Sequence, residues 1–299
     1  MSRPAVATEP IGLRSTLLAL LVSILWGGNV VSIRIGVDSV PPLWSAFWRM
    51  LVGVIFVSVW AKSQGLALWP ERKEWKPLFI LGILFTIQIA LLNSGAALTS
   101  PAFAVVILNS YPVFANLTGH FFSNLETPLN RTRTLGLALA LAGVAVLGFG
   151  QKTSTLAPNP LLGNALLVLS SALLGIRQVY TRWLVQDVNP TRTVIWQMAW
   201  SVPLFLLIAA VSEPMVRDRL TWQAVAAISY QGVVVAGICF IIWAALLKRH
   251  AAGTLTMYAF LVPIVGIALS GFFFDEPLRP TLLAGLVLVM AGIGIVTRD

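Results

Sequence analysis

STLLALLVSILWGGNVVSIRIG, residues 15–36, holds a single charge, Arg34, within an otherwise apolar or small-polar run. A helix needs about 20 mostly apolar residues to cross the ~30 Å hydrocarbon layer of a bilayer. This run is too long for the apolar region of a cleavable signal, and no small-residue cleavage site follows it closely. It is therefore expected to be a retained first span. Nine similar stretches follow, at roughly 42–61, 77–97, 101–122, 134–150, 161–182, 191–212, 222–247, 253–274 and 280–297. Backbone N–H and C=O groups cannot stay unpaired in hydrocarbon, so the stretches are expected to be helices. They are too long and continuous for barrel strands. The expected fold class is an all-α polytopic membrane protein with ten transmembrane helices.

Composition agrees with lipid as the main solvent. The 299 residues are 58% hydrophobic and 10% charged, whereas a soluble domain carries about a quarter charged residues. The net charge of +9 is spread over short inter-helix segments, which argues against a nucleic-acid surface. One cysteine, Cys239, excludes a disulfide or thiolate metal site within one chain. His120 and His250 are too few and too far apart to suggest a metal ion, and no other cofactor signature is present. With the N-terminus inside, thirteen Lys and Arg fall in cytoplasmic segments and five outside. The bias predicts cytoplasmic termini and a bacterial inner-membrane location.

The two halves of this sequence match each other. Asp38 and Pro41 pair with Asp187 and Pro190 at an offset of 149, as Gly136 and Gly143 do with Gly285 and Gly292. Pro112 pairs with Pro263 at an offset of 151. FFSNLETPL (121–129) echoes FFFDEPL (272–278). Residues 1–152 and 153–299 are thus expected to be two five-helix repeats. An odd number of spans inverts the second relative to the first, an architecture of many secondary transporters with the substrate site between the repeats.

The stretch ILWGGNVVSIRIGVDSVPPLWSAFWRMLVG (24–53) and the ends of both repeats, from Tyr111 to Gly148 and from Val262 to Val296, carry a resemblance. They resemble the EamA-type transporters of the drug/metabolite transporter superfamily, with a Trp-Gly-x-Asn start and a Pro-to-Glu-to-Gly repeat ending. The overall pattern looks closest to bacterial exporters of aromatic amino acids. The resemblance implies ten helices in two inverted bundles, a central cavity and alternating access. The second half departs from the pattern, with Gly175 in the place of Trp26 and Gln178 in that of Asn29, so the halves are not expected to bind substrate symmetrically.

Polar groups inside a span are costly and mark candidate sites. All eleven carboxylates fall in loops, tails or helix ends. This argues against a buried carboxylate proton relay and leaves a facilitator as the simplest mechanism. Trp26, Asn29, Gln88, Asn109, Tyr111, Gln178 and Trp243 are the candidates for the cavity wall. Each also has a structural reading, as interhelical hydrogen bonding or packing. Trp48, Trp196 and Trp200 are placed deep in their spans on the same reasoning. Arg49 either meets a substrate carboxylate or holds the outer gate, against a reading in which it snorkels outward. Arg177, near the cytoplasmic end of its span, is expected to snorkel. Pro112 and Pro263 break corresponding helices and are candidate hinges or static kinks. Gly136, Gly143, Gly285 and Gly292 are expected to be close-packing positions.

An intramembrane enzyme would need mid-span acids, a metal cluster or a nucleophile with its base, and no such set is present. A channel would favour a charge ring along a wet path. That reading and a structural scaffold remain as competitors to a carrier, as do other drug or metabolite cargoes. Sparse in-span charge disfavours phosphorylated cargo, and the lack of an embedded acid disfavours lipophilic cations. The expected cargo is a small net-neutral metabolite, above all an aromatic or large apolar amino acid, moved outward. A monomer is compatible with this reading.

Overall fold

The computed structural model of the chain describes residues 10–122, 131–215, 220–250, 255 and 258–297. The helices are α1 (Leu13–Val37), α2 (Pro42–Ser63), α3 (Trp75–Leu98), α4 (Pro101–Leu108), α5 (Tyr111–Phe122) and α6 (Arg131–Gly150). The second half holds α7 (Pro160–Leu184), α8 (Pro190–Ser212), α9 (Trp222–Ser229), a π-helical segment (Tyr230–Cys239), α10 (Phe240–Arg249), α11 (Leu261–Phe274) and α12 (Pro280–Thr297). Eight helical stretches are long and apolar enough to span a bilayer, counting α4–α5 as one and α9 to α10 as one. α11 and α12 are shorter apolar helices. The expected span 253–274 falls partly on residues outside the described set, as does most of the acidic motif in FFSNLETPL.

Local chemistry explains where the helices start. α2, α4, α7 and α8 each begin at a proline, whose fixed φ suits the first helical position and whose missing N–H would have no partner there. Asn159 and Asn189 cap α7 and α8, accepting from Leu162 N at 3.3 Å and Thr191 N at 2.9 Å. Such caps contribute about 1 kcal/mol each. Apolar side chains such as Leu17, Ile55, Val211, Phe272 and Val287 point outward and stay exposed, as a lipid-facing surface requires.

Packing relates the halves. α6 lies against α12, and α2 against α8. α1 packs on α11 while α7 packs on α4 and α5. α3 packs on α7 while α1 packs on α9 and the π segment; α2 meets the π segment while α8 meets α3. Exchanging each span with the one five places later maps each of these pairings onto another or onto itself. The close approach of α6 and α12 depends on glycine. A Cβ at Gly136 would lie 2.7 Å from Gly292 O, and one at Gly143 would lie 2.9 Å from Gly285 O. Without side chains there, the two backbones come into direct contact.

One break was expected and another was not. α4 ends at Leu108 and α5 restarts at Tyr111. Pro112 thus sits in the first turn of the second piece, where a proline is tolerated. Pro263 occupies the same place in α11, two residues past its start. Freed groups at the first break find partners: Ser171 Oγ donates to Leu108 O at 3.1 Å and shares a 3.0 Å hydrogen bond with Ser110 Oγ. The ten-residue π segment had no signature in the sequence.

Candidate substrate cavity

The two ends of the bundle differ. At the near end α1 begins, and His250, after α10, bonds Ser15 Oγ through Nε2 at 2.9 Å. At the far end Glu213, following α8, accepts from Leu43 N at 2.9 Å and Trp44 N at 3.2 Å at the start of α2. Between them lies a cavity with about 880 Å³ of atom-free space, its open mouth included.

Trp26, Asn29, Gln88, Asn109, Tyr111, Gln178 and Trp243 all line this cavity. They arrive from α1, α3, the α4–α5 break, α7 and α10, so the bundle brings together residues as far apart in sequence as Trp26 and Trp243. No described residue of α6 or α12 reaches it. Trp26 and Trp243 meet with ring centroids 4.9 Å apart, and Phe240 closes on Trp26 at 6.1 Å. Gly27 lets α11 approach this wall, since a Cβ there would lie 2.6 Å from the Val265 side chain. Asn109 bonds back to Val105 O at 2.7 Å. Gln88 donates to Ser170 Oγ at 3.0 Å, while its Oε1 is buried with no partner among the described residues. Asn29 Oδ1 and the indole N–H groups of Trp26 and Trp243 are in the same condition. Buried polar atoms of this kind are costly unless paired, so the wall offers both donors and acceptors to a polar guest.

The arginines correct the expectation. Arg177 does not snorkel to the near end. It is 8% exposed, lines the cavity and donates from Nη1 to Gln197 Oε1 at 3.2 Å. Its guanidinium carbon stands 4.8 Å from the Phe85 ring centroid and 5.5 Å from that of Phe240. Arg49 does not snorkel either; it is fully buried and lines the same cavity. Its Nε and Nη1 have no partner among the described residues. The two in-span cations therefore converge rather than lying at opposite depths.

The tryptophans divide. Trp196 and Trp200 belong to an aromatic cluster with Trp69, Trp75 and Phe79 at the near end, where Trp196 Nε1 donates to Leu68 O at 2.8 Å. Trp48 packs on Phe47 and is 38% exposed. None of the three lines the cavity. Pro112 and Pro263 together line a second, smaller apolar space. The side chain of His120 lies outside the described residues. Sequence reasoning missed Thr181, Thr193 and Val235 on the wall; short or apolar side chains in apolar runs carry no signal of which neighbour they face.

The cavity extends toward one end. Its lining runs from Asn29, Arg49 and Gln88 down to Thr181, Thr193 and Leu247, each close to the near-end terminus of its helix. On the far side of Asn29 the helices close. Gln231 Nε2 donates to Ser32 O at 3.0 Å, and a Cβ at Gly36 would lie 3.3 Å from Ser45 Oγ.

The chain's sequence and its fold both match known proteins. The sequence pattern of the EamA-like transporter family fits this chain twice, over residues 13–149 and 161–298. The chain belongs to the EamA-like transporter family. It is a multi-pass membrane protein of the drug/metabolite transporter superfamily, and the repeated match falls on the two halves that the sequence and the helix pairings relate. A protein of Salmonella typhimurium described as a probable amino-acid metabolite efflux pump is 29% identical over 294 residues, covering 93% of each chain. Its Escherichia coli namesake is 28% identical over 296 residues, again with 93% of each covered. One solved crystal structure shares the fold, with a TM-score of 0.70 at 20% identity, over 95% of this chain and 98% of that one. As an EamA-like transporter, the protein has relatives that are transporters rather than enzymes.

Proposed function

We propose that this EamA-like protein is a secondary transporter that exports a small net-neutral metabolite, above all aromatic or large apolar amino acids, by alternating access. The observation that carries the reading is the single-ended cavity at the seam between the matched halves. Its apolar and aromatic wall suits a large side chain, and its unpaired amide oxygens suit an ammonium group. The names of the Salmonella and E. coli relatives point the same way. The halves form inverted five-helix repeats in the inner membrane, with both termini cytoplasmic; the positive-inside bias and the exchange symmetry of the helix pairings support this. In that orientation the cavity faces the cytoplasm, ready to load. No carboxylate is among the described lining residues, in keeping with a facilitator that runs without obligatory proton exchange.

Purified protein in liposomes tests this. Labelled phenylalanine should show saturable flux, inhibited by excess tryptophan or methionine and not by phosphorylated sugars or quaternary amines. Flux that rises linearly without saturation would favour a channel. Flux of none of these solutes, with the protein folded, would favour a scaffold or another cargo.

A further inference from the structure

The two arginines point to a more specific chemistry for this cavity. Arg49 is fully buried and Arg177 nearly so, and both line one space. Arg177 is held in place by Gln197 and by the rings of Phe85 and Phe240, so its position does not depend on a guest. Two like charges in a low-dielectric space repel each other, and each bears a desolvation cost unless an anion joins them.

The described residues supply no such anion. No carboxylate is among the described lining residues. Five of the described acids are engaged at the ends of the bundle. Asp38 pairs with Arg34 at 3.2 Å and Glu71 with Lys73 at 2.9 Å. Glu74 pairs with Arg192 at 2.6 Å. Glu213 caps α2, and Glu276 accepts from Ala102 N at 3.1 Å and Ser270 Oγ at 2.6 Å. Meanwhile Arg49 Nε and Nη1 and Arg177 Nε stay buried without a partner among the described residues. A guanidinium presents paired N–H groups that fit the two oxygens of a carboxylate.

We infer that the cargo's carboxylate is held by Arg49 and Arg177, and that the cavity takes aromatic and large apolar monocarboxylates for which the ammonium group is dispensable. This rests on the transport reading above and extends its cargo from net-neutral amino acids to the matching monocarboxylate anions. An amino acid still fits, because Asn29 Oδ1 and Gln88 Oε1 can receive its ammonium. A 2-oxo acid with the same side chain offsets one of the two positive charges without adding a third cation. A decarboxylated amine meets two like charges.

The test is binding to the purified protein in detergent, by calorimetry and by ligand-dependent thermal shift. Phenylalanine, phenylpyruvate and phenethylamine are compared, with and without added chloride. Phenylpyruvate is expected to bind as well as phenylalanine or better, and phenethylamine on the order of 100-fold more weakly, since one charge-assisted contact amounts to roughly 10- to 100-fold. Arg49→Gln and Arg177→Gln should each erase most of that discrimination, and Arg49→Lys should restore part of it. The wild-type ligand series decides the matter if a variant fails to fold. Binding of phenethylamine within about threefold of phenylalanine would overturn the assignment. Full protection by chloride alone, with no preference among the three compounds, would overturn it too and leave an inorganic anion site. Binding of none of the three would instead overturn the cargo reading beneath it, which the flux assay tests separately.

Discussion

Glu213 offers a direct handle on the closed end of the cavity. Its carboxylate follows the last turn of α8 and accepts the first free N–H groups of α2, from Leu43 at 2.9 Å and Trp44 at 3.2 Å. Trp44 Nε1 returns a bond to Glu213 O at 3.3 Å. Glu213→Gln keeps the shape but removes the charge. A side-chain cap contributes about 1 kcal/mol, and a negative charge at a helix N-terminus adds ~0.3–1 kcal/mol. Losing much of both costs about 1–2 kcal/mol, which changes a two-state ratio roughly 5- to 30-fold. Burial raises the Glu213 pKa above the ordinary carboxylate value, opposed by the two backbone bonds. A carboxyl whose pKa is raised in the closed state holds its proton more tightly there than when open and solvated, so acid does not favour opening of the far end. Cys239 is the chain's one cysteine, so Cys239→Ala gives a clean background for Ser32→Cys, between the cavity and the far-end closure. The readout is its rate of labelling by an impermeant maleimide from the far side, normalised to an exposed control cysteine. Glu213→Gln should raise the rate roughly 5- to 30-fold at neutral pH. Equal rates in the two proteins at neutral pH would refute the clamp.

Other outcomes follow from the same architecture. Reporter fusions should place both termini in the cytoplasm and the segments near Ser100 and Ala157 outside; an external C-terminus would refute the proposed orientation. Pro112→Ala and Pro263→Ala should each slow flux more than they lower folded yield, because straightening a bistable helix biases one facing state; wild-type rates in both would make the breaks static. Gly292→Leu should cut folded yield sharply in detergent, since even a Cβ there would meet Ala140 and Gly136 backbone atoms at 2.5 Å, and overpacking costs about 1–3 kcal/mol or more. Normal yield and monodispersity would show that α6 and α12 can separate freely.

Much of the fold could be read along the chain because a bilayer imposes strict terms. A charge-poor run of some twenty residues has few alternatives in lipid, and in the structure prolines at 42, 101, 160 and 190 stand at helix starts. The glycines at 136, 143, 285 and 292 signalled their role because only close packing favours a missing side chain on a lipid-soluble helix. The π segment from Tyr230 to Cys239 gave no such sign. Its residues suit an ordinary helix, and the change in winding comes from what packs around it, with Tyr230 Oη bonded to Leu25 O and Gln231 to Ser32 O.

The cavity shows the limit more sharply. Four amides, two deep tryptophans and the tyrosine of the Tyr-Pro break stood out as polar or aromatic groups in apolar spans, and all seven of these candidates line one space. Depth along a helix, however, says nothing about what covers a residue from the side. Arg177 sits seven residues from the end of α7, close enough for its side chain to reach water if that face were open. Phe85 from α3 and Phe240 from α10 close it, and Gln197 from α8 takes one N–H. Those three residues lie 92 before, 63 after and 20 after it in the chain, so no local pattern could reveal them. The same lateral packing turns two cations, each unremarkable by itself, into a pair facing one cavity. Trp196 and Trp200 show the converse. Each is as hydrophobic and as deep along its own span as a wall residue would be, yet α3 and the Trp69 loop draw them into the aromatic cluster at the near end. Charge and polarity selected the candidates; helix-to-helix packing decides which of them meet a substrate.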